Sequence, residues 1–364
     1  MTPSPDPALP GDALPHPTAI ARPAGEVNAA FVRVTADALP DRKWHFELGL
    51  PRDTKLAPSS GLVPIAGGEL VSLALFHRDD PACDIEVYGQ LLDREIDAAD
   101  WLDWWLAQMG VRVVSRHPMY AIGGMIGDVV GEWDADGQSF AGRFFATKWG
   151  TRLVLVWSRA TRADYPRIAE DLFVTLTTFR LTDDSAGLLA ERVNTISHAL
   201  PVPFKIVIPE SWDVQPDPAP PHVAAFQATL RPPRGMAQDV MLGKLSAAVV
   251  ARAAVRDAAE ALGNTLAALR DIGIDVADAP HHEELNLPPA EGSWGLVTHA
   301  TVQGTPLEVR CRAVLFPQAW VIAAVLGPGR DQVPLAWMQN KRTLDIVTRL
   351  VRFAPPDAAE TPEE

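Results

Sequence analysis

Hydrophobic and polar positions follow an order that the chain runs through twice. Phe46–Pro51 (FELGLP) sets apolar side chains at every second position and stops at proline, the pattern of a half-buried strand, and Phe204–Pro209 (FKIVIP) repeats it. The alternation returns in CDIEVYGQLL, Cys83–Leu92, whose counterpart lies in Asp239–Arg256 (DVMLGKLSAAVVARAAVR). That second stretch is rich in alanine, and the reading adopted is a strand first and a helix from about Ala253. A helical spacing then replaces the alternation in both copies, in DAADWLDWWLAQMG (Asp97–Gly110) and DAAEALGNTLAALRDIG (Asp257–Gly273).

Each copy continues with a hairpin signal. Asp136-Gly137 lies between GDVVGEWDA and QSFAGRFF, and Gln303-Gly304 lies between GLVTHATV and TPLEVRCR. RLVLVWS (Arg152–Ser158) and WVIAAVL (Trp320–Leu326) are near-continuous apolar runs, as expected of strands covered on both faces. Helical spacing closes each copy, over Tyr165–Thr178 and Val333–Leu350, and both end on a Phe and an Arg, Phe179-Arg180 and Arg352-Phe353.

The elements of one copy predict a mostly antiparallel sheet flanked by helices, an α+β sandwich, and the whole is a tandem repeat. The expected divisions are a Pro-rich tail over 1–40, a first domain over 41–183, a helical linker over 184–200, a second domain over 201–354 and an acidic tail over 355–364. The linker reading rests on Leu188, Leu189, Val193 and Ile196, which suit one face of a short helix. Taken twice, this element order and phrases such as FKIVIPESWDV resemble the PsbP-like fold, the fold of the PsbP photosystem subunit, the nuclear Ran-release factor and the Eag-type secretion chaperones. The resemblance implies an α/β/α sandwich that binds partners and is not an enzyme. It carries over no functional residue.

Composition narrows the function classes. A net charge of -14 over 364 residues speaks against nucleic acid and anionic membrane surfaces, which reward clustered Lys and Arg. Cys83 and Cys311 stand far apart without metal-ligand spacing, so two buried free thiols are expected. The start of the chain lacks a basic stretch followed by an apolar run, and Ala319–Leu326 is too short to span a bilayer, which gives the expectation of a cytoplasmic protein.

Candidate chemistry is sparse. Asp134–Gly137 (DADG) begins like a calcium loop but lacks the later glutamate and suits a hairpin turn better. His281-His282-Glu283-Glu284 reads as an exposed polar loop rather than a metal site. No GxSxG, GxGxxG or GxxxxGK[ST] occurs, so neither an activated serine nor a phosphate cradle is indicated, and no cofactor is expected.

The tryptophans of the first helix are the remaining signal. Leu102, Trp105, Leu106 and Met109 share one face, matched in copy two by Leu262, Thr265, Leu266 and Leu269. Trp101 and Trp104 lie off its centre, where copy two has Ala261 and Asn264. So much indole surface asks for a cover. The candidates are the rest of the chain (the other domain or Val27–Val34), a protein partner or second copy, and an aromatic small-ligand cage. The reading adopted is a non-catalytic adaptor or chaperone, in the setting of a bacterial secretion or envelope machine, whose protein partner is anchored by Trp101, Trp104, Trp133 and Trp149. The alternatives are a permanent structural subunit of a larger assembly and an enzyme with an unrecognised inter-domain site.

Overall fold

A computed structural model of the chain describes residues 13–354, apart from 38–40, 59–60, 66–67, 122, 184, 186, 218–219, 221, 234–240, 279, 286 and 288. Its contacts divide it into two units, one of residues up to Asp93 with Asp97–Ala190, the other of Arg94–Ile96 with the residues from Glu191 onward.

In the first unit the elements are α1 (Ala24–Ala30), β1 (Phe31–Ala36), β2 (Phe46–Pro51), β3 (Lys55–Ala57), β4 (Leu62–Ile65), β5 (Gly68–Asp79), β6 (Ala82–Leu91), α2 (Ala98–Gln108), β7 (Arg112–Arg116), β8 (Met119–Ala121), β9 (Gly124–Ala135), β10 (Gln138–Trp149), β11 (Arg152–Thr161), α3 (Tyr165–Thr178) and β12 (Arg180–Leu181). The main sheet has the order β3-β5-β6-β11-β10-β9-β7, antiparallel throughout, and β1-β2-β12 form a separate small sheet. The apolar run of β11 is central, paired with β10 and β6. One helix serves each face. α2 packs on β9 and β10, while α3 packs on β10, β11 and β2.

The second unit repeats the plan with β13 (Val193–His198), β14 (Phe204–Pro209), β15 (Trp212–Asp217), β16 (Val223–Leu230), β17 (Lys244–Ala251), α4 (Ala258–Asp271), β18 (Asp275–Val276), β19 (His281–Glu284), β20 (Gly292–Val302), β21 (Thr305–Leu315), β22 (Ala319–Gly327), α5 (Pro334–Arg349) and β23 (Arg352–Phe353). Its main sheet runs β15-β16-β17-β22-β21-β20-β18, with β13-β14-β23 as the small sheet. α4 lies over β21, β18 and the near part of β22, and α5 covers the other face. The tandem α+β architecture expected of the chain is therefore the one observed.

Local chemistry explains the junctions. Asp136 and Gly137 take φ of 52° and 76°, and Gln303 and Gly304 take 50° and 80°. These left-handed pairs make the two-residue turns that match the twist of the flanking strands β9/β10 and β20/β21. The DADG stretch is thus a hairpin turn. α4 starts at Ala258 rather than near Ala253, because Asp257 caps it: its side chain accepts from the Glu260 N–H, and Glu260 accepts in return from the Arg256 N–H.

Three expectations need correction. The Pro-rich tail expected over 1–40 is built into the first unit wherever it is described: Leu14 is part of the core, and β1 pairs with β2 from Phe31↔Pro51 to Ala36↔Phe46. FVRVTA alternates bulky and polar residues and pairs along the whole of β2, whose other neighbour β12 is only two residues long. The linking helix expected within 184–200 is replaced by strand β13, which pairs with β14 from Val193↔Pro209 to His198↔Phe204. β-Branched Val193, Thr195 and Ile196 and an open edge on β14 outweigh a helical periodicity that the same apolar residues also fit. His281–Glu284 is likewise a strand rather than a loop, with Glu283 accepting from Arg310 Nη1 at 3.1 Å. Residues 1–12 and the expected acidic tail, 355–364, lie outside the described residues.

Candidate functional site

The α2 face of the first unit is filled with rings. Gly127 on β9 lets α2 sit close to the sheet, since a Cβ there would lie 2.8 Å from Leu102 Cδ2 and 3.0 Å from the Ala99 Cα. Trp105 then reaches Phe144 on β10 at 6.1 Å and Trp157 on β11 at 5.8 Å between ring centres, and Trp101 stacks on Trp105 at 6.1 Å. Trp157 continues the stack to Tyr88 on β6 at 6.3 Å, and Trp133 joins it from β9 at 5.9 Å. Trp101, Trp104 and Trp105 are 1%, 7% and 2% exposed.

The indole surface expected at Trp101 and Trp104 is therefore already covered, which corrects their reading as open anchors. Their burial follows the ordinary preference for intramolecular packing of large apolar groups. Trp133 is half-buried in the same ring stack. Trp149, also half-buried, packs at 6.0 Å on Phe179 against the α3 core, so it does not join the others.

The second unit leaves the matching face open. A groove of about 880 Å³ runs between α4 and the strands β16, β17 and β22. Its floor is Ser246, Ala248 and Val250 of β17 with Ala324 and Leu326 of β22, and its wall is Ala261, Asn264, Thr265, Ala268 and Leu269 of α4 with Ile272 just past its end. Ala261, Asn264 and Thr265 are the residues that copy two sets against Trp101, Trp104 and Trp105. Small side chains at these positions leave unfilled the space that indoles occupy in the first unit.

Polar groups stand at the groove's margins. Lys244 is exposed at one end of β17 and His222 lies at the other, while Asp217, level with Ala248 through Ala225, accepts from Gln227 Nε2 at 3.1 Å. Ile272, 69% exposed, extends the apolar wall into solvent. A volume of this size with a mostly apolar lining falls in the range of binding sites. The sequence held its signal in the Ala261/Asn264/Thr265 substitutions, but small residues do not announce a groove without the position of the helix that carries them.

Burial pushes the thiols of Cys83 and Cys311 up to about 12, so neither is an available thiolate at neutral pH. In the first unit Arg143 is fully buried and donates through Nε and Nη2 to Asp128, at 2.8 and 2.6 Å, and through Nη1 to the Pro17 carbonyl at 2.8 Å. His16 Nε2 lies 3.4 Å from Asp128 while its Nδ1 faces Ser115 Oγ at 2.6 Å. Burial alone raises the Asp128 carboxyl, but the His16 and Arg143 contacts outweigh it and hold the group below the usual carboxylate range. In the second unit Asp345 is similarly ringed by Arg312, Arg342 and Arg349 at 2.8, 3.1 and 2.8 Å. Among the described residues no group of three or more His, Cys, Asp or Glu could hold a metal ion, and no helix is long and apolar enough to cross a membrane.

No family model matches the chain, and no curated protein matches it. Solved structures similar to it include cyanobacterial PsbP from Synechocystis sp. PCC 6803, 10% identical with a TM-score of 0.32 over 42% of this chain and 93% of that one. Another is the immunity protein TplEi of the T6SS from Pseudomonas aeruginosa, 11% identical with a TM-score of 0.24 over 85% of this chain and 95% of that one. A third is the Tle4–Tli4 complex, 10% identical with a TM-score of 0.23 over 90% of this chain and 98% of the matched chain.

Proposed function

We propose that the chain is a non-catalytic protein-binding adaptor or chaperone that seats its partner in the open groove of its second repeat. The observation that carries this reading is the contrast between the repeats: one face is packed with indoles in the first and is an apolar groove of about 880 Å³ in the second. Apolar surface held open in this way is the usual mark of a recognition site. The arrangement of polar groups supports binding over catalysis. Lys244 and His222 stand at opposite ends of β17, and Asp217 is engaged by Gln227, so they do not converge on one reacting atom. A place in a bacterial secretion or envelope machine belongs to this proposal and rests on the fold resemblance alone.

The test is capture of host proteins by the tagged full chain, wild type beside Ala268→Phe, whose added ring enters the groove from an exposed helix position. A protein held by the wild type and lost from a folded Ala268→Phe chain is the expected result. Identical capture by both forms would remove the groove from the function.

A further inference from the structure

Resting on that reading, we infer that the partner enters the groove as an amphipathic helix that presents aromatic side chains to α4 and an acidic residue to Lys244. The groove floor follows β17 from Lys244 to Val250, six residue steps, or about 20 Å at roughly 3.3 Å per residue. That length matches about 13 residues of helix at ~1.5 Å each, close to α4 itself.

The groove lies on a sheet face, not along a sheet edge. A segment laid there finds no ladder partner, so an extended chain would bury unpaired N–H and C=O groups, whereas a helix satisfies its own. A second helix beside α4 also completes the layer that α4 leaves unfinished over β16 and β17.

The first repeat shows which side chains suit this space. There the positions matching Ala261, Asn264 and Thr265 are Trp101, Trp104 and Trp105, and the strand rings Phe144 and Trp157 meet Trp105 from below. A partner bringing rings at i, i+3 and i+4 would supply from outside what α2 supplies from within. Charge sets the orientation. Lys244 is exposed at the groove's end and carries no ion pair among the described residues, in a chain whose net charge is -14. An acidic residue at the matching end of the incoming helix would meet the cation.

The probe is a labelled peptide with the sequence of residues 97–110, DAADWLDWWLAQMG, which has this Trp spacing and three Asp residues. It is titrated against the full chain by fluorescence anisotropy. Saturable binding is expected, weakened about tenfold or more by Thr265→Trp and by Ala268→Phe, each checked for retained circular dichroism. Lys244→Glu is expected to weaken it about threefold, with recovery when the peptide's Asp residues are changed to Lys. A peptide with all three Trp changed to Ala should lose binding. No binding to the wild-type chain, equal affinity for the filled variants, or an undiminished Trp-free peptide would each overturn the inference. If the host partner is lost from Ala268→Phe while the peptide fails to bind, the helix is overturned and the groove keeps its function. If host capture is also unchanged, both fall.

Discussion

Arg143 and Asp128 are 0% and 2% exposed in their side chains, and each carboxylate oxygen receives a guanidinium N–H. Asp128→Asn leaves the cation buried without its counter-charge, and the expected cost is about 3–5 kcal/mol at pH 7. The sign with pH follows from the depressed carboxyl. Its stabilising effect is present in full above the unfolded-state value of about 4 and fades as pH falls through the lower folded value. Urea denaturation of the wild type and Asp128→Asn should therefore give a gap that narrows below about 4, as the Asp128 carboxyl takes up its proton. A gap independent of pH would mean that Asp128 is not the charged partner of Arg143. This pair was invisible in the sequence, because Asp128 and Arg143 sit on opposite sides of a hairpin, and their meeting depends on the register set by the turn at Asp136-Gly137.

At the scale of elements, strands bounded by proline or by a two-residue turn were legible, since residues within a few positions decide them. β2 and β14 coincide with FELGLP and FKIVIP, and both hairpins turn where their residues demand positive φ. β13 was not legible. Leu188, Leu189, Val193 and Ile196 fit one helix face, and only the neighbour β14, which the local pattern does not show, selects the strand. The segment before α1 was misread for a related reason: a proline-rich composition says nothing about tertiary partners. Leu14 enters the core, the Ala21 and Arg22 N–H groups donate to Glu170, and Arg22 Nη2 lies 2.6 Å from Asp171. Removing residues 1–17 would delete Leu14, His16 and the Pro17 carbonyl that Arg143 uses, while sparing the Arg22 contacts. The expected loss is about 3 kcal/mol, from one buried leucine and one charge-assisted hydrogen bond. Denaturant unfolding followed by tryptophan fluorescence, with seven of the eleven indoles in the first unit, would check it. A change below about 0.5 kcal/mol would return the segment to the status of a passive tail.

For the whole molecule, the repeats share an order of elements but differ in how they fill one face. That difference could be traced to single positions in the sequence, yet its consequence was reversed: the indoles suggested a surface, and the structure uses them as filling. An excess of Trp relative to the other copy cannot distinguish the two cases, because both ask for burial and only the strands beneath the helix decide who provides it. Exchanging the aligned residues separates filling from opening. Trp105→Thr should cost about 3–5 kcal/mol, as it empties a site bounded by Trp101, Phe144 and Trp157. Thr265→Trp brings the larger side chain into the groove, and its cost should stay within about 1 kcal/mol because no packed neighbour has to move. Overpacking a closed core would instead cost ~1–3 kcal/mol. Chemical denaturation of both variants measures the asymmetry directly. Equal penalties would mean that the second repeat is closed over α4 as the first is over α2, and a closed face could not admit a partner helix.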